Sequence, residues 1–400
     1  MKKLFFMTLC LFQMVFVYLD DGTGIGRILQ LFCSLVLFLL IPQKYELFRQ
    51  KEFIHINNIV AIYALYLVVS SVIGTNIQLS EIKHLILIDG EELDYKSSSY
   101  MFAVLAGVNL ISAILFMEYL NNTNKYIDFL NYFCKILFVY LLINDVLMLL
   151  KVNVFEGFTY FLGDKFIVSY YHILLLVVMC VVQLQRQNYV SRIKLGLFMV
   201  YAVFASIYTE CTTALFGVVF VFCMMKFFRI TSKLIYSKNL TLILWALCSV
   251  FFLVFGFFLQ EEWVTEFLIL IGEDPTLSGR TDIYAVLMDF IAVSPLTGYG
   301  YGNASRVLMF AQRLPDAQNG LLDIVLSQGI IGCAFFVYIY SWCLKRIQLY
   351  HIYSYMPIIV YLLMYIFLSM VEITTRTEFL VLAIMTIPLL DDSKIIRKIL

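Results

Sequence analysis

The chain is 400 residues long, 62% hydrophobic and only 14% charged, with a mean hydropathy of +0.89. Soluble domains are about half apolar and about a quarter charged, so no water-soluble fold fits this balance. Lys and Arg number 28 against 28 Asp and Glu, and no basic patch is interleaved with aromatics, which argues against a nucleic-acid partner.

Apolar runs recur along the whole chain, and a hydrocarbon core of roughly 30 Å takes about 20 apolar residues to cross as a helix. The expected fold is therefore all-α, a polytopic integral membrane protein of about twelve transmembrane helices with one large extracytoplasmic loop. The first half supplies six spans: Leu4 to Leu19, Ile28 to Ile41, Asn58 to Ile73, Tyr100 to Leu120, Phe133 to Leu150 and Ile167 to Leu184. Six more follow: Leu195 to Tyr208, Ala214 to Phe228, Leu240 to Leu259, Ile324 to Leu344, Met356 to Val371 and Phe379 to Leu390. Several are short enough to need a thinned bilayer or support from neighbours. The seventh and eighth read as one tight hairpin. Lys2-Lys3 and the following apolar run resemble a secretory signal, but Asp20-Asp21 stands where small residues would mark cleavage, so an uncleaved first helix is expected. The chain divides into a nine-span bundle (1–259), the loop with short helices (260–323), and three further spans with a C-terminal tail (324–400).

With the N-terminus inside, nineteen of the 28 Lys and Arg fall on cytoplasmic segments and span ends, and three of the other nine lie in the large loop. The positive-inside rule favours that orientation, with both termini cytoplasmic in a cell membrane. All of the nine cysteines except Cys211 sit within or at the ends of apolar runs without paired spacing and read as small hydrophobes. The four histidines are scattered. No metal site and no cofactor are expected, and transfer chemistry, if present, is expected to be metal-independent.

The segment from Gln260 to Asp323 is much longer than the other connections, which marks it as the place where function sits. Pro275 and Leu277-Ser278-Gly279 lead into Arg280-Thr281-Asp282, after which Ile283, Val286, Leu287, Phe290 and Ile291 recur at helical spacing. Thr281 or Ser278 would cap that helix and Pro295 would end it. Gly298-Tyr299-Gly300-Tyr301-Gly302 reads as a flexible turn whose amides can approach a ligand, with a loop hinge as the plainer reading. No strand precedes it, which argues against a dinucleotide site.

Taken in order, Leu277-Ser278-Gly279-Arg280-Thr281, Pro295-Leu296, Gly298-Tyr299-Gly300, Asn319-Gly320 and Gly329-Ile330-Ile331-Gly332 resemble the O-antigen polymerase and ligase family. The resemblance covers Pro275 to Cys333 in detail. It implies transfer of a glycan from a polyprenyl diphosphate carrier to a sugar hydroxyl, with the diphosphate lipid leaving. The expected partners are polyprenyl-diphosphate-linked oligosaccharides and membrane lipids, with flippase and chain-length regulator proteins as candidates.

Such chemistry needs a cation on the diphosphate, for which Arg280 is the candidate and Arg306 and Arg313 are weaker ones. A brace for a turn is the structural alternative for Arg280. It also needs a group that orients or deprotonates the acceptor hydroxyl. The family's histidine position is Gln318 here, within Asp316-Ala317-Gln318-Asn319, and Gln318 cannot accept a proton near neutral pH. Three readings stay open: Gln318 only positions the acceptor, Asp316 takes the proton, or the transition state is dissociative enough to need little base. Asn319 completes the expected catalytic set. Gly279, Gly298, Gly300, Arg306, Arg313, Glu210 and Glu372 are the candidate substrate-binding residues.

Thr212 stands where many relatives carry an arginine, so a second cation would come from Arg306, Arg313 or Arg376, and Glu210 beside it is a new acidic candidate. Asn144 and Asp145 lie inside the fifth apolar run, where ionisable residues are functional candidates by default. Asp20-Asp21 is a weaker acidic candidate. Trp263, Tyr284, Tyr299 and Tyr301 are aromatic candidates for stacking on sugar rings, with interfacial anchoring as the alternative. The leading reading is a repeat-unit polymerase making capsular, exo- or O-antigen polysaccharide. A ligase of the same family is the nearest alternative, and a transporter or a structural scaffold is disfavoured by the lack of an internal repeat and by the arginine and glycine constellation.

Overall fold

A computed structural model describes residues 1–17, 25–41, 51–75, 77, 99–152, 160–187, 189–227, 237–258, 266, 280–312, 316–350 and 356–386. Among the described residues the chain is all-helical. The helices are α1 (Lys2–Phe16), α2 (Ile25–Leu40), α3 (Lys51–Gly74), α4 (Ser99–Thr123), α5 (Tyr126–Leu149), α6 (Lys165–Gln187) and α7 (Arg192–Tyr208). They continue with α8 (Thr212–Lys226), α9 (Lys238–Phe258), α10 (Arg280–Val293), α11 (Ala304–Gln312), α12 (Gly320–Tyr350), α13 (Met356–Leu368) and α14 (Thr377–Ile384). Among the described residues, five stretches are long and apolar enough to cross a bilayer: Ile54–Gly74, Tyr100–Thr123, Tyr126–Leu149, Lys165–Gln187 and Gly320–Lys345. Shorter apolar helices accompany them, and the chain is a multi-pass membrane protein.

Periodicity decides which helices lie inside. On α2 the exposed residues Ile28, Leu31, Phe32, Leu35, Phe38 and Leu39 follow helical spacing and form an apolar stripe left uncovered by the described residues; on a membrane protein such a stripe suits contact with lipid. By contrast α6 is apolar all round and buried from Val168 to Val181, and α13 is buried from Met356 to Ile366. Helices apolar on every side occupy the centre, and α13 packs on both α6 and α8. The expected hairpin is formed by α7 and α8 about the turn Thr209 to Cys211, where Ser206 O accepts from Cys211 N at 2.9 Å.

The feature that shapes one end of the bundle is a break in α12. Gly329 has φ 67° and ψ −176°, which separates a half-helix starting at Gly320 from the remainder. Backbone groups released at such a break must find partners at membrane depth. Leu326 O accepts from Tyr299 N at 2.9 Å and Ser327 O from Gly300 N at 2.8 Å, while Ile330 N donates to Pro295 O at 2.8 Å. Gln328 O accepts from the Tyr66 hydroxyl at 2.6 Å. The segment 295–300 is thus clamped to the break by main-chain bonds. That contact tolerates no side chain at two points: a Cβ on Gly298 (φ +65°) would meet Gln328 N at 2.6 Å, and one on Gly329 would meet Leu296 O at 2.1 Å.

The loop helix expected after Arg280 is α10, and it stops ahead of Pro295 as expected. It begins at Arg280, so Thr281 lies in the first turn and does not hold the cap position; Ser278 lies outside the described residues.

The glycine contacts give a direct test. Gly329→Ala is expected to lower the yield of folded, monodisperse protein in detergent, because backbone at φ 67° and ψ −176° is a region essentially only glycine adopts, at a cost of about 1–3 kcal/mol to other residues, and the methyl group meets backbone besides. Gly196→Ala in α7, where a Cβ meets nothing within 4 Å, is the control and should leave the melting temperature unchanged or raise it. Equal behaviour of the two variants would contradict the clamp.

Candidate functional site

A cavity of about 260 Å³ opens at the end of the bundle where α1 and α3 finish and α2, α4, α12 and α14 start. Its floor is apolar, with Met14 and Val15 from α1 and Leu105 and Leu110 from α4. Its upper wall is charged. Arg27 enters from α2, Arg376 from the segment ahead of α14, Asp316 from the approach to α12, Asp323 from the first turn of α12, and Glu378 from the first turn of α14.

Two further arrangements hold the cations. The Arg27 guanidinium carbon lies 4.1 Å from the centre of the Phe102 ring, and that of Arg306 lies 5.6 Å from the same centre, so α2 and α11 each present an arginine to one aromatic ring on α4. Guanidinium groups over a ring gain attraction from its quadrupole. Arg376 lies within electrostatic reach of both Asp323 and Glu378. At Glu378, just ahead of the apolar run starting at Phe379, burial raises the carboxyl above its ordinary range while Arg376 opposes the rise.

The residues expected to act together are divided by the fold. Asp316 lines the cavity and accepts from Gln318 N at 2.9 Å in a tight turn. Gln318 has a left-handed backbone, φ 49°, and its carbonyl accepts from the Tyr284 hydroxyl at 2.9 Å. Asn319 is fully buried and its side chain is occupied on both sides: the amide donates to Ser249 O at 2.9 Å, and its oxygen accepts from Leu322 N at 3.2 Å. Those bonds cap α12 and tie it to α9. Arg306 adjoins the cavity through Phe102. The Arg280 backbone starts α10, but its side chain, together with Gly279, Arg313, Asp20-Asp21 and Trp263, lies outside the described residues.

The glycine turn differs from its expectation. The amides of Tyr299 and Gly300 go to the broken α12, and that of Gly298 goes to Ser294 O at 3.1 Å, so the run serves close backbone approach between two protein segments. Tyr299 is fully buried with its hydroxyl on Phe290 O at 2.8 Å, and Tyr284 belongs to the same buried cluster. Tyr301 lines the cavity instead, held by Ser71 through its amide at 2.9 Å and by Thr377 through its hydroxyl. Glu210 is exposed with φ 53° in the α7–α8 turn, and Glu372 is buried near Tyr170 and Cys211; neither lines the cavity.

Several cavity residues lacked a sequence signal. Arg27 follows an unremarkable short connection, and Asp323 stands at the edge of an apolar run. Only the packing of distant helices places them in one wall. Among the described residues no group of three His, Cys, Asp or Glu is arranged to hold a metal ion.

Asp145 belongs to a separate buried cluster across α5, α6 and α7. His172 Nδ1 donates to Val168 O at 2.8 Å, its Nε2 meets Asp145 Oδ2 at 3.1 Å, and the Tyr201 hydroxyl donates to the same oxygen. Asn144 Oδ1 accepts from Phe161 N at 2.9 Å and Leu162 N at 3.3 Å, closing the α5–α6 connection. The cluster is built as a tie between three helices. Removing one partner strands the others, at about 1–3 kcal/mol for each buried group left unpaired. Asp145→Ala and His172→Ala are each expected to lower the melting temperature in detergent, and the double variant should lose less than the two single losses added together. Additive losses would show that the two residues are not coupled.

Residues 197–337 match the family model described as O-antigen ligase. The match runs from α7 into α12 and takes in α10, α11, Asp316 and Asp323, whereas Arg27, Phe102 and Arg376 fall outside it. No curated protein matches the chain. The motifs from Leu277 to Gly332 lie within the matched segment, so this stretch, just over a third of the chain, is similar to the O-antigen ligase family, in agreement with an O-antigen polymerase or ligase kinship.

Proposed function

We propose that the protein is a glycosyltransferase that polymerises polyprenyl-diphosphate-linked oligosaccharide repeat units at the outer face of the cytoplasmic membrane. The observation that carries this reading is the cavity, in which arginines from segments far apart in sequence and three carboxylates meet beside the family-matching segment, above an apolar floor. In this reading the chain crosses the membrane twelve times with both termini inside, and the cavity end of the bundle is the outer end. The carrier lipid enters between helices and its diphosphate is held by guanidinium groups, whose planar donors suit phosphate oxygens.

Fixed cations act where negative charge grows on the leaving diphosphate oxygen, and they act strongly away from bulk water. Arg280, at the start of α10, is the first candidate. Arg376, Arg306 and Arg27 supply the second cation that Thr212 does not. The segment from Gly279 to Gly320 covers the reacting sugars, Tyr301 offers a ring to stack on them, and transfer is metal-independent. A ligase that moves finished glycan to a terminal acceptor breaks the same sugar–diphosphate bond and is the second reading, favoured by the description of the matching family.

Glycan length on a gel separates these. Cells lacking the protein should accumulate single repeat units, wild type should restore long chains, and Arg280→Ala or Arg376→Ala, at normal membrane levels, should cut polymer formation by about 100-fold, the scale of one lost charge-stabilising group. Long carrier-linked chains persisting in the null strain would favour the ligase. In membranes, excess EDTA should leave the rate unchanged; its abolition would refute a metal-independent transfer.

A further inference from the structure

We infer that Asp323 takes the proton of the acceptor hydroxyl, the role for which Gln318 is chemically unfit. This deepens the transfer reading above and rests on it. Three carboxylates line the cavity, and their surroundings separate them. Asp316 accepts from Gln318 N at 2.9 Å, which ties it into its own turn, and Glu378 sits in the first turn of the short helix α14. Asp323 lines the cavity and accepts no hydrogen bond among the described residues, so its acceptor capacity is unused within them. Thr375, 1% exposed and in the same wall, likewise has a hydroxyl without a partner among the described residues. Polar groups in a cavity that make no internal bonds are the ones available to a bound polar ligand.

Asp323 is also held rigidly. Its amide donates to Asn319 O at 2.9 Å, and the start of α12 is anchored by Gly320 N on Ser369 O at 2.8 Å and by the Asn319 amide on Ser249 O. A group on a docked helix keeps its aim better than one on a loop. Asp323 stands in the first turn of α12, where the helix N-terminus favours negative charge. This explains the occupied side chain of Asn319: it positions the turn that presents Asp323.

The step balances as follows. The acceptor oxygen forms a bond to the anomeric carbon of the donor, the bond from that carbon to the diphosphate oxygen breaks, and its electron pair leaves with the lipid diphosphate. The acceptor proton passes to the Asp323 carboxylate and then to water, restoring the charged form.

The test uses the full chain reconstituted in phospholipid vesicles, with polyprenyl-diphosphate single repeat units extracted from the null strain as donor and acceptor. Asp323→Asn keeps the shape and removes the base. It should slow chain growth at least about 100-fold, still be protected against heat by the donor lipid, and lose the fall in rate that wild type shows as the carboxylate is protonated toward acid pH. Asp323→Glu should recover part of the rate. An Asp323→Asn rate within threefold of wild type, or loss of donor protection together with activity, would overturn the assignment while leaving polymerisation by wild type intact. Wild type that forms no product beyond one repeat unit would overturn the transfer reading and the base with it.

Discussion

Main-chain amides and carbonyls cannot be left unpaired in hydrocarbon, where each costs several kcal/mol, and this one constraint organises the cavity end of the molecule. Gly329 breaks α12 and releases carbonyls at Leu326, Ser327 and Gln328 and amides at Ile330 and Ile331. The 295–300 segment and Tyr66 satisfy them. Once that segment is fixed on α12, α10 must descend toward it and α11 must leave from it, which sets Tyr301 and Ser305 in the cavity wall and Arg306 beside Phe102. The break and the site are therefore one construction. Irregular backbone at membrane depth is tolerated where it is buried in protein or lines a cavity, and here it does both.

The charged wall follows from the same geometry. Arg27 on α2, Arg306 on α11 and Arg376 ahead of α14 come from three segments far apart in sequence, and the Phe102 ring lies against two of them. Cations gathered at the rim of an apolar bundle act in a medium less polarisable than water, so their effect on a phosphate oxygen is large. Asp316, Asp323 and Glu378 keep the wall from being uniformly positive. In the proposed transfer, that mixture would stabilise an anionic leaving group and accept a proton within one small volume.

The glycines show how much of this was legible. Gly298 and Gly300 stood out in sequence as part of a turn whose amides could approach a ligand, and in the structure the turn approaches α12 instead. Close approach was readable because only the lack of a side chain matters to it; the partner was not, because α12 and the turn meet through tertiary packing. Asn319 was expected in the catalytic set through the family resemblance, whereas its bonds to Ser249 and Leu322 depend on where α9 and the start of α12 lie. Asp145, marked by its depth in an apolar run, turned out to be matched with His172 and Tyr201, neither of which had a signal of its own.

Composition and periodicity by themselves determined that the chain is a multi-pass helical membrane protein, where most of its helices run, that α7 and α8 form a hairpin, and that a helix follows Arg280 and ends before Pro295. Those properties depend on local quantities: the length of an apolar run, the spacing of its faces, and residues that cannot continue a helix. The order of motifs from Leu277 to Gly332 carried the family resemblance. Only the tertiary structure decided the break at Gly329, the partners of the glycine turn, the separation of Glu210 and Glu372 from the cavity, and the meeting of Arg27, Arg376 and Asp323 in one wall. Those depend on which helix ends are neighbours, and in an apolar bundle many pairings bury equal hydrophobic surface. Pairing is settled instead by a few backbone and polar bonds between residues far apart in sequence.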